Sequence, residues 1–74
     1  MPDLTRITFN PQVMGGKPCI RGLRVTVGTI VGLLAAGRSS EDILQAYLER
    51  EDIQQALAYA AWRVEEFELP LVVA

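Results

Sequence analysis

The chain predicts a mainly α-helical fold: three helices on a helix-turn-helix plan, preceded by a short strand-and-loop segment and followed by an extended apolar tail. Three observations carry this. From Val27 onward, apolar residues recur at helical spacing. The junction A-A-G-R-S-S over residues 35–40 leaves room only for a tight turn between two helices. Before them, Met14 to Arg24 reads M-G-G-K-P-C-I-R-G-L-R, with three glycines, one proline and three cations in eleven positions, a composition that no helix or plain strand tolerates. Residues 1–74 form one domain, divided into strand and loop over 6–26, a three-helix bundle over 27–67 and a tail over 68–74.

Taken in order, Ile7, Thr8 and Phe9 alternate with β-branched and aromatic character ahead of the turn pair Asn10-Pro11, which predicts a short edge strand. A second extended piece at Cys19 and Ile20 can pair with it or with another subunit, and the step Arg21-Gly22 turns the chain toward Val25. Val27, Ile30, Val31, Leu34 and Ala35 then mark a first helix, with Thr26 as its N-cap and Gly37 as its stop. Ser39 caps a second helix, where Glu41 and Asp42 favour the first turn and Ile43, Leu44, Tyr47 and Leu48 form the apolar side. A third helix carries the stripe Ile53, Ala56, Leu57, Ala60, Ala61, Val64 and Phe67.

No glycine or proline separates the second helix from the third, yet one straight rod is excluded by phase. At ~100° per residue, the centres of the two apolar faces lie roughly 140° apart, so a break is expected near Glu49 and Arg50. Pro70 closes the helical region, leaving Leu69, Leu71, Val72 and Val73 as an apolar extended tail.

At 74 residues the buried fraction of surface is low, so an oligomer or a partner is expected. Cys19 is the only cysteine and histidine is absent. That removes a disulfide framework, a multi-cysteine metal site and the usual general base, so neither an enzyme nor a cofactor or metal site is expected. Met1 to Phe9 does not resemble a signal peptide and no apolar run approaches the ~20 residues needed to span a bilayer; a cytoplasmic protein with no membrane partner is expected. The net charge of −2 hides an asymmetry: residues 1–38 hold five cations against Asp3, formally +4, whereas residues 39–74 hold two cations against eight acids, formally −6. An anion such as a phosphate backbone would meet the first part and be repelled by the second.

The run Gly15-Gly16-Lys17-Pro18, then Ile20-Arg21-Gly22 and Arg24, followed by a short apolar helix, A-A-G-R-S and an E-D-I helix start, resembles the bacterial family called domain of unknown function four hundred and thirty-three. The likeness covers roughly Arg6 to Glu65. It implies a homeodomain-like helix-turn-helix fold, and many members of that family look like antitoxins of type II toxin-antitoxin pairs, encoded beside a PIN-like ribonuclease toxin. The chain departs from the family pattern where a tyrosine-proline turn and a threonine cap usually join the second and third helices. Here Tyr47 is followed only by L-E-R before Glu51-Asp52-Ile53, so the link is about two residues shorter, Glu49 replaces the cap and the inter-helix angle is open to change. Leu23 also stands where a small polar residue is common.

For Lys17, Arg21 and Arg24 two readings stand side by side. Spaced cations on a glycine-bent loop suit phosphate contact without base readout; equally, they can cap helix carbonyls and pair with the acidic C-terminal half, where six acids fall between residues 49 and 68. The face Glu51, Asp52, Gln54, Gln55, Ala58, Tyr59, Trp62 and Glu66 of the third helix is expected to be exposed and acidic, poorly suited to the major groove. Within it Tyr59, Trp62 and Glu66 form a partly aromatic stripe fit for a protein partner, although Trp62 could instead close the core against the N-terminal strand. Leu71, Val72 and Val73 could add a strand to a partner's sheet or pair within a dimer. Gly28 and Gly32 could let two first helices approach closely, or serve helix–loop packing within one subunit.

Together with the resemblance, these readings lead to an expectation: a homodimeric antitoxin that masks a PIN-like ribonuclease toxin and contacts its own operator DNA. The alternative is a stand-alone helix-turn-helix regulator that binds DNA without a protein partner.

Overall fold

The computed structural model describes residues 4–45 and 48–66 and is mainly helical, with three helices following a two-stranded antiparallel sheet. Strand β1 (Ile7–Thr8) pairs with β2 (Cys19–Ile20) in the register Ile7 to Ile20 and Thr8 to Cys19. The expected strand is therefore present but ends one residue before Phe9. Because Ile7 and Ile20 face each other and both are buried, the ribbon contributes its inner face to the core.

Between the strands, Met14, Gly15 and Gly16 all lie in the left-handed region, with φ of 51°, 66° and 84°. Two of these three positions carry the residue that accepts such backbone without a steric penalty. After β2, Arg21 and Gly22 have φ of 48° and 73°, and Leu23 N–H donates to Ile20 C=O at 2.7 Å. Two successive left-handed residues closed by that bond are the pattern of a type I′ turn. The chain returns so that Ile20 N–H reaches Val25 C=O at 3.0 Å and Thr26 bridges Cys19.

Helix α1 (Val27–Ala35) starts at Thr26, whose backbone is extended and whose Oγ1 accepts from Thr29 N–H at 3.1 Å. It stops at Gly37, φ 90°, where Arg38 N–H donates to Leu33 C=O and Gly37 N–H to Leu34 C=O at 3.0 and 3.1 Å, the paired bonds of a Schellman motif. Two residues later Ser39 caps α2 (Ser40–Leu44) by accepting from Asp42 N–H at 3.2 Å. Helix α2 is shorter than its apolar spacing predicts: Leu48 is buried but lies beyond the helix, and Tyr47 is outside the described residues. Helix α3 (Arg50–Glu66) opens where the phase argument requires a break.

The core joins Ile7 and Ile20 of the ribbon to Val27 and Ile30 of α1, Ile43 of α2, Leu48, and Ile53, Ala56 and Tyr59 of α3, with α1 packed most extensively on α3. The expected α3 stripe is only half right. Ile53 and Ala56 are buried, but Ala61 is exposed, as are Leu57 (43%) and Val64 (64%). The helix is rotated about its axis so that Asp52 and Tyr59, expected on the outer face, turn inward. The cause is polar: Asp52 must meet two arginines from the N-terminal segment. Among the described residues, no helix is long and apolar enough to cross a membrane. Residues 68–74, the expected tail, lie outside the described residues.

Candidate functional site: a loop stapled to the third helix

Asp52 is 0% exposed, an unusual place for a carboxylate unless it is paired. Its position follows from the start of α3. The side chain folds back to accept from Glu49 N–H at 2.7 Å, which is the returning half of a capping box, with Asp52 three residues after the cap position. Glu49 does not make the other half with its own side chain; its carboxylate is turned to Arg6.

Two guanidinium groups close on this carboxylate. Arg21 binds it in a fork, Nε to Oδ1 at 3.0 Å and Nη2 to Oδ2 at 2.9 Å, and Arg6 Nη1 reaches Oδ1 at 2.9 Å. Arg6 also reaches Glu49 Oε1 at 2.7 Å and Glu51 Oε2 at 3.2 Å. Backbone bonds hold both arginines in register: Arg21 N–H donates to Arg6 C=O at 2.8 Å and Arg6 N–H donates to Gln55 Oε1 at 2.8 Å. The left-handed Arg21 is thus fixed by its neighbours on the ribbon and by α3 at once.

Burial alone would push the Asp52 carboxyl upward, but the hydrogen bonds from Arg21, from Glu49 N–H and from Arg6 outweigh it and hold the group down at about 2. Hydrogen bonding to Asp52, and for Arg6 also to Glu49, raises both guanidinium groups above their ordinary value, so all three members stay charged across the physiological range.

The structure separates the three loop cations that the sequence groups together. Arg21 is a structural partner of Asp52, in line with the reading in which these cations pair with the acidic half. Lys17 and Arg24 are exposed, and their side chains form no hydrogen bond or ion pair among the described residues. Of the other motif positions, Gly15, Gly16 and Gly22 occupy left-handed backbone, Pro18 C=O accepts from Val27 N–H at 2.9 Å to seat the start of α1, and Ile20 fills the core.

The stripe expected to face a partner is also divided. Tyr59 is 7% exposed and belongs to the core, where its ring lies 5.8 Å from Phe9 and 6.0 Å from Trp62. Trp62 is half-buried, with the Arg63 guanidinium 5.9 Å from its ring centre, and Phe9 is 50% exposed. The Glu66 side chain and Leu71, Val72 and Val73 lie outside the described residues. Sequence reasoning missed Arg6, Glu49 and Asp52 as one cluster. The available signal was the three-residue spacing of Glu49 and Asp52 at a helix start. Among the described residues, no group of three or more His, Cys, Asp or Glu side chains is placed to hold a metal ion.

Fold and site together define a class: a small helical domain whose glycine-bent ribbon is clamped to its last helix by an Arg–Asp–Arg staple. Residues 7–60 match the family described as "Protein of unknown function (DUF433)", and the chain belongs to that family. That span contains Arg21, Glu49 and Asp52 and begins one residue after Arg6. The chain is also 41% identical over 56 residues to "Uncharacterized protein y4eO" of Sinorhizobium fredii (strain NBRC 101917 / NGR234), an alignment covering 73% of this chain and 25% of the relative. The chain therefore spans about a quarter of the length of that curated relative. No solved structure matches it.

Proposed function

We propose that the chain is a binding module of the antitoxin type: a homodimer of homeodomain-like helix-turn-helix domains that occludes a PIN-like ribonuclease and represses its own operon. The observation that carries the protein-binding half is the aromatic row Phe9, Tyr59 and Trp62. Its middle ring is anchored in the core, Trp62 is half-buried beside it and Phe9 is half exposed, the arrangement of a rigid hot spot needing little ordering on association. The toxin class itself comes from the family resemblance. Because Glu49, Glu51 and Asp52 are engaged by arginines, the acidic start of α3 is not the contact surface; the rings are.

Tagged protein recovered from its native host should carry a stoichiometric PIN-like nuclease that is inactive until released. Phe9→Ala and Trp62→Ala should each weaken that complex at least tenfold without loss of helical signal. A chain recovered with no such nuclease, or variants that bind it as tightly as the native chain, would overturn the proposal. Lys17 and Arg24, exposed and without an ion pair among the described residues, favour the second reading, a regulator that binds DNA alone; tight operator binding by the purified chain with no nuclease recovered would establish it.

A further inference from the structure

The rotation that buries Asp52 also fixes what α3 turns to the outside. At about 100° per residue, Arg50, Gln54, Leu57, Ala58, Ala61 and Glu65 fall within roughly 50° of one direction, opposite the buried Asp52, Ile53, Ala56 and Tyr59, and all six are exposed. The row has an apolar middle, a cation at its start and a carboxylate at its end. Both charges stand against the dipole of their own helix, which favours acids at the N-terminus and cations at the C-terminus. Neither side chain makes a hydrogen bond or an ion pair among the described residues. The other charged side chains described on α3 are engaged off this row: Glu51 by Arg6 at 3.2 Å, Asp52 by both arginines, and Arg63 over the Trp62 ring.

We infer that this row is the contact between two copies of the chain, their third helices antiparallel about a two-fold axis that passes between Leu57 and Ala58, with Arg50 of each copy on Glu65 of the other. This rests on the homodimer in the function proposed above and names its surface. Register and charge together select a second copy as the occupant. With the axis at that place, Leu57 meets Ala58, Gln54 meets Ala61 and Arg50 meets Glu65, each pair formed twice, as an isologous contact requires. The two charges that oppose their own dipole are then well placed for their neighbour's: Arg50 comes against the C-terminal end of the other α3 and Glu65 against its start. A parallel pairing would set Arg50 on Arg50 and Glu65 on Glu65. Trp62 stands roughly 90° away around the helix, so the aromatic row stays open for the proposed nuclease in such a dimer.

The test uses the full chain in sedimentation equilibrium, with circular dichroism as the check on folding. One helix face per copy is a small interface, so the native dimer should dissociate at about 10–100 µM. Arg50→Glu and Glu65→Arg should each weaken association at least tenfold, and helical signal should persist because both changes agree with the dipole of α3. The two variants mixed in equal amounts should regain native affinity as a heterodimer, since both contacts between them are then of opposite sign. A chain carrying both substitutions should regain it on its own. Arg50 and Glu65 are fifteen residues apart, roughly 22 Å along one helix, so neither rescue can arise within a single copy. A native chain that stays monomeric at about 1 mM would overturn both this surface and the homodimer. A native dimer that either single variant leaves unchanged, or that neither the mixture nor the doubly substituted chain restores, would overturn the surface alone.

Discussion

At the scale of single residues, the fold turns on Asp52. Replacing it by Ala removes the acceptor shared by two guanidinium groups and the Glu49 N–H, and breaking a buried pair in this way costs about 3–5 kcal/mol. Asp52→Asn keeps the shape and one acceptor oxygen and should cost less, about 2–3 kcal/mol, with urea unfolding as the measurement. The same carboxyl sets an acid limit. Its folded value of about 2 lies below its ordinary 3.8, so the ionised form is favoured by folding. The stabilisation, of the order of 2 kcal/mol, is complete above about pH 5 and is lost as pH falls through 3.8 toward 2. Melting temperatures between pH 6 and 2 should fall along that curve in the native chain and fall less in Asp52→Asn. Arg21→Lys should also lower the melting temperature, because an ammonium group cannot reproduce the fork on Oδ1 and Oδ2.

Among the elements, what the sequence made readable was local chemistry. Thr26, Gly37 and Ser39 announce the ends of α1 and the start of α2, and each makes the bond its residue type predicts. The Arg21-Gly22 turn was legible for the same reason, since its determinants lie within a few residues, whereas the partner of β2 stayed open between β1 and another subunit because Ile7 and Ile20 are far apart in the chain. The rotation of α3 was not. Apolar residues occupy more than half of its circumference, so periodicity alone leaves its phase loose, and the choice fell to Arg6 and Arg21, which lie 46 and 31 positions from Asp52. Likewise the pairing of Glu49 with Arg6 decides whether Glu49 caps with its side chain or only with its backbone. Two substitutions check the local readings: Thr26→Ala should cost about 1 kcal/mol through the lost N-cap, and Gly37→Ala about 1 kcal/mol through the left-handed stop. Both are measurable by denaturant midpoint, and a neutral result at either would remove the corresponding cap.

For the whole molecule, the staple redistributes the charge that the sequence displays. The first half is formally +4, but Arg6 and Arg21 are turned onto α3, leaving Lys17, Arg24 and Arg38 as the outward cations of the described first half. Any phosphate contact is therefore carried by few residues. The proposed operator binding should weaken with salt by a logarithmic slope that drops by about one unit in each of Lys17→Ala and Arg24→Ala. Titrations at several salt concentrations measure it, and an unchanged slope in both variants would remove the loop from the DNA contact. Arg21→Ala should act differently, by loosening the fold before it changes the slope.

The span of the staple also has a kinetic consequence. Its two anchors on the ribbon emerge early in synthesis and the residue they close upon emerges late, so until α3 has begun to form the left-handed turn at Arg21 and Gly22 is held only by its bonds within the ribbon, Arg21 N–H to Arg6 C=O and Gly22 N–H to Thr8 Oγ1. Contacts of such sequence separation form late because loop closure precedes any reward. Amide exchange in the ribbon should then open in concert with the first turn of α3 rather than fray from the N-terminus. The loop is, in the energetic sense, an extension of a helix that begins some thirty residues after it.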